Sequence, residues 1–359
     1  MKTKIDWHYP RTEIAETILG LFESESTNAI TIFAKRRMGK TEMLVNDLWP
    51  LAEMSGYDVR YMSFWLDKGS PEQVFFDTLS AKNQNYSSIK ARVGIFGSYI
   101  ETTKNLLYSG KSKPTLQLIS STLEKSGRRK KKTLLLLDEI QELAVGDKDD
   151  HFVAMLRTVL DAHKKKIHVV FTGSSQEGLL KMFRKHKAPL FNFSHQLDLP
   201  ELTPSFVIYM IDAFHKASGK KLNLAASLRV FTKSHKVPAR FHDLLRTMLI
   251  SGRNDIEQAF NEYKESSGEQ LKFASDWQKL NPLDQMILQR IAVGKGNLFS
   301  EDGRNDLSTL LGVEMVSKSS VQKSLKRLKS ADIVETFNRG QYDFVEMVFR
   351  DYVLEQSSI

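Results

Sequence analysis

The sequence contains no cysteine among its 359 residues. Disulfide frameworks and thiolate metal sites are therefore excluded, because both depend on cysteine sulfur. Long apolar runs are missing as well, since no stretch approaches the roughly 20 residues that a membrane-spanning helix needs. The opening MKTKIDWHYPRTE lacks the apolar core of a secretory signal peptide. These absences predict a cytoplasmic protein that does not associate with a membrane.

Positive charge is in excess, with 52 lysines and arginines against 43 acidic residues and a formal net charge of +9. The excess is concentrated in the runs 128–132 and 164–166 and in the segment 317–330, which holds no acid. Clustered basic side chains attract the phosphate backbone of nucleic acids or anionic lipid. Such runs are as often solvated loops or helix faces, so charge alone does not decide what they do.

Short apolar segments alternate with helical ones over the first part of the chain. As a group the segments lack the regular polar–apolar alternation of a strand with one solvent-exposed face, which indicates strands buried on both sides. Buried strands that alternate with helices form a parallel sheet in an α/β fold. The predicted strands are 29–33, 57–65, 133–138, 167–174 and 194–202.

The segment AKRRMGKT lies between the first predicted strand and a helix. A loop that enters a helix N-terminus directs backbone N–H groups and the positive end of the helix dipole at an anion. Gly39 allows close approach to phosphates, Lys40 reaches the β- and γ-phosphates, and the Thr41 hydroxyl is a Mg²⁺ ligand. Ala34 replaces the usual first glycine, which the turn tolerates if the φ of Ala34 is negative. The predicted nucleotide-contacting residues are Ala34, Lys35, Arg36, Arg37, Met38, Gly39, Lys40, Thr41 and Glu42.

A second motif, TLLLLDEIQEL, follows later in the chain and contains acidic residues. Its buried strand ends in Asp138 and Glu139, which places both carboxylates at the edge of the sheet where α/β folds bind ligands. Asp138 is predicted to hold Mg²⁺, and Glu139 to orient and deprotonate the attacking water. Together with the phosphate loop, this motif predicts the binding and hydrolysis of a nucleoside triphosphate, ATP in the first instance.

Two further polar groups are candidates for the γ-phosphate. In FTGSS, Ser174 is favoured over Ser175, although a serine at this place also suits the N-cap of a helix. In KVPARF, Pro238 fits the first turn of a helix, and Arg240 is predicted to face the γ-phosphate. The alternative for Arg240 is a solvent-exposed position on that helix.

The pattern becomes entirely helical after Thr203. From about Leu280 it predicts three helices and then two short strands around Asn338, Arg339 and Gly340, the order of a winged helix-turn-helix. We therefore predict a P-loop NTPase α/β domain at 1–202, a helical lid domain at 203–277 and a C-terminal winged helix at 278–359.

The motifs AKRRMGKT, LLLLDEIQEL, FTGSS and PARF, in this order, resemble an AAA+-type P-loop ATPase. The chain is most similar to the prokaryotic "archaeal ATPase" group, close to the STAND NTPases and to origin-recognition-type initiators. Arg11, in RTEI, matches the opening of that group, which borders the adenine. The resemblance implies phosphate binding by Gly39, Lys40 and Thr41, Mg²⁺ at Asp138, a catalytic base at Glu139, sensor 1 at Ser174 and sensor 2 at Arg240.

One departure from the family concerns the arginine that often precedes its last strand. Asn192 and Phe193 occupy that region here, and Arg157 and Arg184 are the weak substitutes. A conventional arginine finger acting in trans is therefore not implied, although a homo-oligomer stays open.

The segment 316–335 reads as a recognition helix that enters a wing. Val321, Leu325 and Leu328 have helical spacing and are predicted to face the core. The outer faces then carry polar and basic side chains suited to base edges and phosphates in duplex DNA. The predicted DNA-contacting residues are Ser320, Gln322, Lys323, Lys326, Arg327 and, at the wing tip, Arg339.

Three functions follow from these patterns. The favoured one is a DNA-associated ATPase, in which the nucleotide state controls the lid and the winged helix. Winged helices also contact proteins, so the second is a STAND-like signalling switch with a protein partner and slow nucleotide exchange. The third is a replication or transposition initiator that assembles on DNA.

Overall fold

The computed structural model describes residues 5–65, 71–80, 89, 116–144, 150–184, 188–266, 268–338 and 340–356. Most of the segment between the second and third predicted strands, and Arg339 at the predicted wing tip, lie outside them. The chain forms two compact units, Met1–Leu202 and Thr203–Ile359. The further division of the second unit into a lid and a winged helix stays a prediction. No helix among the described residues is both long enough and apolar enough to cross a bilayer.

The first unit is built on a five-stranded sheet whose paired strands are all parallel. The spatial order is β2-β3-β4-β1-β5. The predicted parallel sheet is confirmed. The last strand is shorter than predicted, because Pro200 has no N–H to donate to a ladder. The strands are β1 (Ala29–Phe33), β2 (Asp58–Ser63), β3 (Thr133–Asp138), β4 (Ile167–Gly173) and β5 (His195–Asp198).

Helices cover both faces of this sheet. The helix after β1 changes character along its length: α2 is followed by a π-helical segment, Met43–Leu48, and then by α3. Pro50 cannot donate a helical hydrogen bond, which accounts for the break in the α-helical pattern just before it. The helices are α1 (Thr12–Glu23), α2 (Lys40–Glu42), α3 (Trp49–Met54), α4 (Pro71–Ser80), α5 (Leu116–Gly127), α6 (Asp150–Ala162) and α7 (Gln176–Phe183), with a 3₁₀ turn at Ile140–Ala144.

The sheet separates two hydrophobic cores. Leu135 and Leu137 of β3 pack on one side, in a core that also contains side chains of α4, α5, α6 and α7. Leu134 and Leu136 pack on the other side with α1, the π-helical segment and α3. Because successive side chains of a strand point to opposite faces, apolar side chains on both faces let β3 pack into both cores. This accounts for the uninterrupted run of leucines and fixes Asp138 at the end of a rigid strand.

The second unit contains helices and one small antiparallel sheet. A hydrophobic core joins the elements from α12 onwards. The sequence pattern did not predict α16, whose two buried side chains, Phe349 and Val353, form only a short helical repeat. The elements are α8 (Pro204–Ser218), α9 (Leu224–Lys233), α10 (Pro238–Ser251), α11 (Ile256–Ser266), α12 (Gly268–Lys279), α13 (Pro282–Ala292), α14 (Glu301–Leu311), α15 (Lys318–Ser330), β6 (Val334–Asn338), β7 (Gln341–Phe344) and α16 (Met347–Gln356).

Candidate nucleotide site

The loop 34–39 leaves the end of β1 and enters α2. Gly39 caps this helix with φ +86°, a left-handed conformation that glycine adopts without steric cost. Ala34 is not among the described residues with positive φ, so alanine is tolerated at the first position of the motif. The first N–H groups of a helix have no partner within it. The loop therefore has the backbone geometry of an anion-binding turn.

Lys40 is buried inside this loop, with only 4% of its surface exposed. Its Nζ donates hydrogen bonds to the carbonyl oxygens of Ala34 at 2.8 Å and Lys35 at 3.2 Å. Burial lowers the pKa of Lys40, while the carboxylates of Glu139 and Asp138 act in the opposite direction. The loop thus confines one cation beside two acids at the end of the sheet.

The carboxylate of Asp138 accepts three hydrogen bonds at this edge. Its Oδ2 accepts hydrogen bonds from the Thr41 hydroxyl at 2.6 Å and the Tyr61 hydroxyl at 3.0 Å, and its Oδ1 accepts one from Thr172. Burial, followed by the negative charge of Glu139, raises the pKa of Asp138, and its hydroxyl donors and Lys40 oppose this shift. Mg²⁺ prefers oxygen ligands and few protein groups, which the adjacent Thr41 and Asp138 oxygens fit.

Glu139 has a left-handed backbone, with φ +56°. Non-glycine residues held in this region cost about 1–3 kcal/mol, and they cluster at functional sites. The Oε2 of Glu139 accepts hydrogen bonds from the Ser174 hydroxyl at 2.8 Å and from the Gln141 amide. The turn after β3 therefore directs this carboxylate towards the end of β4.

Gln141 completes a three-residue network that sequence reasoning missed. Its Nε2 also lies 3.2 Å from the Ser174 hydroxyl, and its Oε1 accepts from the Ser174 backbone N–H at 3.3 Å. A Cβ added at Gly173 would lie 2.6 Å from Gln141 Oε1, and one at Gly178 would lie 2.6 Å from Gln141 Cβ. Both glycines therefore leave the space that the Gln141 side chain fills. A polar residue two positions after Glu139 was the available signal.

Tyr61 and Thr172 were also missed. Tyr61 lies in the interior of β2 and Thr172 in the interior of β4, on either side of β3 in the sheet. Their contacts with Asp138 depend on strand order and register, which cannot be read from the sequence. No local motif marks Tyr61, and Thr172 lies within FTGSS, where no role was predicted for it.

Ser174 and Ser175 have separate roles. Ser175 is the N-cap of α7, where its side chain accepts from the Gly178 N–H at 3.1 Å. Ser174 instead contacts Glu139 and Gln141. The N-cap alternative is therefore realised by Ser175, and contact of Ser174 with a γ-phosphate stays a prediction.

The remaining residues of the predicted nucleotide group surround the loop. Arg11 donates from Nη2 to the Met38 carbonyl at 3.0 Å and from Nη1 to the Pro200 carbonyl at 3.1 Å. The Arg36 guanidinium lies 5.4 Å from the ring centre of Trp65, a cation–π distance.

Two more of the predicted nucleotide-contacting residues have an unusual backbone conformation or a shifted pKa. Arg37 takes a left-handed backbone with φ +65°. Burial raises the pKa of the Glu42 carboxyl to about 7. Strain and desolvation thus concentrate in the loop and the first turn of its helix.

The arginine candidates lie elsewhere. Arg240 is in the first turn of α10 in the second unit and is buried, not exposed; its contact with a γ-phosphate stays a prediction. Arg157 donates to the carbonyls of Pro189 at 3.0 Å and Phe191 at 3.1 Å. Arg184 caps the C-terminus of α7 and bonds Gln196. The last two arginines are therefore engaged inside the first unit.

Five of the six predicted DNA-contacting residues lie on α15, and the sixth, Arg339, lies outside the described residues. Val321, Leu325 and Leu328 are buried, as their spacing predicts. Gln322, Lys323, Lys326 and Arg327 are exposed, and Ser320 is partly exposed.

Arg327 has an intramolecular partner that the sequence does not reveal. Its guanidinium donates to the buried carboxylate of Asp284, from Nη2 at 2.7 Å and from Nε at 3.1 Å. Ser324 donates to the same carboxylate. Arg327 therefore ties α15 to α13, whatever else its exposed side chain contacts.

No protein-family model matches the sequence, nor does any curated protein sequence. Solved structures do match the fold. A Walker-type ATPase of Pyrococcus abyssi gives a TM-score of 0.64 at 15% identity, over 97% of this chain and 98% of that one. The ADP form of the ORC2 protein of Aeropyrum pernix gives 0.57 at 15% identity, over 96% and 93%. The chain therefore has a P-loop NTPase fold.

The packing of Gln141 against Gly178 reverses the usual effect of replacing a helical glycine. Gly20→Ala, on the exposed side of α1 with nothing near the added Cβ, should stabilise the protein by roughly 0.5–1 kcal/mol. Gly178→Ala should destabilise it by roughly 1–3 kcal/mol, because Gln141 Cβ must move. Thermal unfolding of both variants measures the difference. Equal stabilisation by both would show that Gln141 does not pack there.

Proposed function

We propose that this protein binds ATP with Mg²⁺ and hydrolyses it. The observation that carries the proposal is the convergence of Lys40, Thr41, Asp138 and Glu139 at the carboxyl edge of the sheet. Of the proteins that share the fold, one is described as a Walker-type ATPase and the ORC2 protein forms ADPNP–ADP complexes. Both descriptions support an adenine nucleotide.

Each residue has a separate task in this reaction. The N–H groups at the start of α2 and the Lys40 ammonium would hold the phosphates. The Thr41 hydroxyl and the Asp138 carboxylate would hold Mg²⁺, which neutralises charge on the β- and γ-phosphate oxygens when bound. Glu139 would accept a proton from the attacking water as the water oxygen bonds to the γ-phosphorus, and the bond from that phosphorus to the β–γ bridging oxygen would break, which releases ADP and phosphate.

Glu139 must be oriented to act as a base. In the structure its carboxylate is fixed by Ser174 and Gln141. We infer that Ser174 and Gln141 set the direction from which Glu139 approaches the water. Tyr61 and Thr172 would orient the Asp138 carboxylate in the same way, by hydrogen bonds to its two oxygens. A carboxylate fixed before the reaction costs little reorganisation during it.

Replacing the base tests the hydrolytic step. Glu139→Gln should keep ATP affinity and lower turnover by about 10²–10⁴-fold, the usual contribution of general base catalysis. Glu53→Gln, at an exposed position of α3, is the matched control and should leave turnover unchanged. Steady-state phosphate release and nucleotide titration measure both properties. Undiminished turnover in Glu139→Gln would show that another group is the base.

We further propose that the protein is a DNA-associated ATPase. The order of α13, α14, α15, β6 and β7 supports a winged helix, with three helices followed by an antiparallel pair. The exposed side of α15 carries Gln322, Lys323 and Lys326, which suit contacts with phosphates and base edges of a duplex. The cytoplasm is the compartment in which such a protein would act.

Lys323→Ala/Lys326→Ala tests this contact without unpairing Asp284, which Arg327→Ala would do. The double variant should bind duplex DNA more weakly and reduce the salt dependence of log K by about 2. It should also lose any stimulation of ATP turnover by duplex. Lys221→Ala/Lys233→Ala, at two exposed positions of the second unit, is the control.

Unchanged DNA binding by the Lys323 and Lys326 variant would contradict the proposed role of α15. A wild-type protein with tightly bound ADP, slow turnover and no affinity for DNA would instead favour the signalling switch with a protein partner.

A further inference from the structure

Two basic runs meet at the edge of the sheet opposite the nucleotide site. One is 128–132, which precedes β3, and the other is 164–166, which precedes β4. β3 and β4 are neighbours, with Thr133 in register with Ile167. The Thr133 N–H donates to the Lys166 carbonyl at 2.8 Å, and the Asp58 N–H donates to the Lys132 carbonyl at 2.8 Å. We name residues 128–132 and 164–166 together the basic edge.

Short turns and two arginine ion pairs hold the basic edge in place. The Lys166 and Ile167 N–H groups donate to the His163 carbonyl at 2.8 and 2.9 Å, which closes the turn before β4. Neighbouring strands of a sheet lie about 4.8 Å apart, so the two runs form one continuous surface. The turns fix the backbone and leave the lysine side chains extended into solvent.

The carboxylates beside this surface pair with its arginines and not with its lysines. The nearby carboxylates are engaged, because Asp58 pairs with Arg60 and Arg129, and Glu124 pairs with Arg128. Within the described part of the chain, no ion pair involves an edge lysine. The exposed lysines are Lys130, Lys131, Lys164, Lys165 and Lys166.

We propose that the basic edge binds the phosphate backbone of duplex DNA. Clustered lysines on a rigid surface match a polymer that carries one negative charge per about 1.7 Å of helix axis. The edge offers no aromatic side chain on which an unpaired base could stack, which single-strand binders use. It has no apolar side chain to insert into a lipid surface either. The contact would be independent of DNA sequence.

The location makes this contact compatible with nucleotide binding. β3 has 6 residues, so its two ends lie on the order of 20 Å apart. DNA at the amino end of β3 therefore leaves the site at its carboxyl end open. The proposal rests on the proposed association with DNA, but it does not depend on α15.

Charge reversal in the full chain tests the proposal. Lys131→Glu/Lys165→Glu should weaken binding of a 30-base-pair duplex by about tenfold or more, and should reduce the salt slope of log K by about 2. Nucleotide affinity should not change. Lys221→Glu/Lys233→Glu alters net charge equally and should bind DNA as the wild type does. Fluorescence anisotropy of a labelled duplex over a range of salt concentrations measures the DNA affinity of each variant. The α15 variant Lys323→Glu/Lys326→Glu is measured in the same way for comparison.

The outcomes separate the two proposals. If only the α15 variant loses DNA binding, the proposal for the basic edge is overturned and the proposal for α15 is supported. If only the edge variant loses DNA binding, the proposal for α15 is overturned and the proposal for the basic edge is supported. A wild-type protein that does not bind duplex contradicts both. Vesicles with and without anionic lipid form the last arm: edge-dependent binding to anionic vesicles without binding to DNA would overturn the assignment to nucleic acid.

Discussion

The arrangement of this site depends on one buried contact, between the hydroxyl of Thr41 and the carboxylate of Asp138. It joins the helix that follows the phosphate loop to the end of a strand packed on both faces. A carboxylate with only 2% of its surface exposed must have hydrogen-bond donors, because an unpaired buried charge is costly. Thr41, Tyr61 and Thr172 supply them. The polar network therefore fixes the geometry in which a cation and a triphosphate would be held.

The parts of this site that the sequence reveals are the parts encoded locally. The phosphate loop is contiguous, and the leucine run ending in Asp138 and Glu139 can be recognised because its alternate leucines pack into the cores on the two sides of the sheet. Gln141 lies within that motif, yet its role depends on the end of β4 and on two glycines that leave room for its side chain. Tyr61 and Thr172 reach Asp138 only through strand register. The register between strands that are distant in the chain cannot be read from a single sequence.

A similar limit applies to α15. The helical spacing of its apolar residues predicts which side chains are buried. The lysines on the opposite face are then predicted to be exposed. The partner of Arg327 does not follow, since Asp284 is distant in sequence and is itself buried. Removing the exposed Arg327 would take the cationic partner away from the buried carboxylate of Asp284. A basic residue on an exposed helix face can therefore be a structural residue, which only the fold reveals.

Titration of ATP into the wild type and Lys40→Met, with Mg²⁺ or with a chelator, tests the central claim most directly. Lys40→Met removes the confined cation and retains an unbranched side chain of similar length. We expect the wild type to bind ATP in a Mg²⁺-dependent manner, and the variant to lose most of that affinity while remaining folded. Equal affinity of both proteins for ATP would contradict a triphosphate site at this loop.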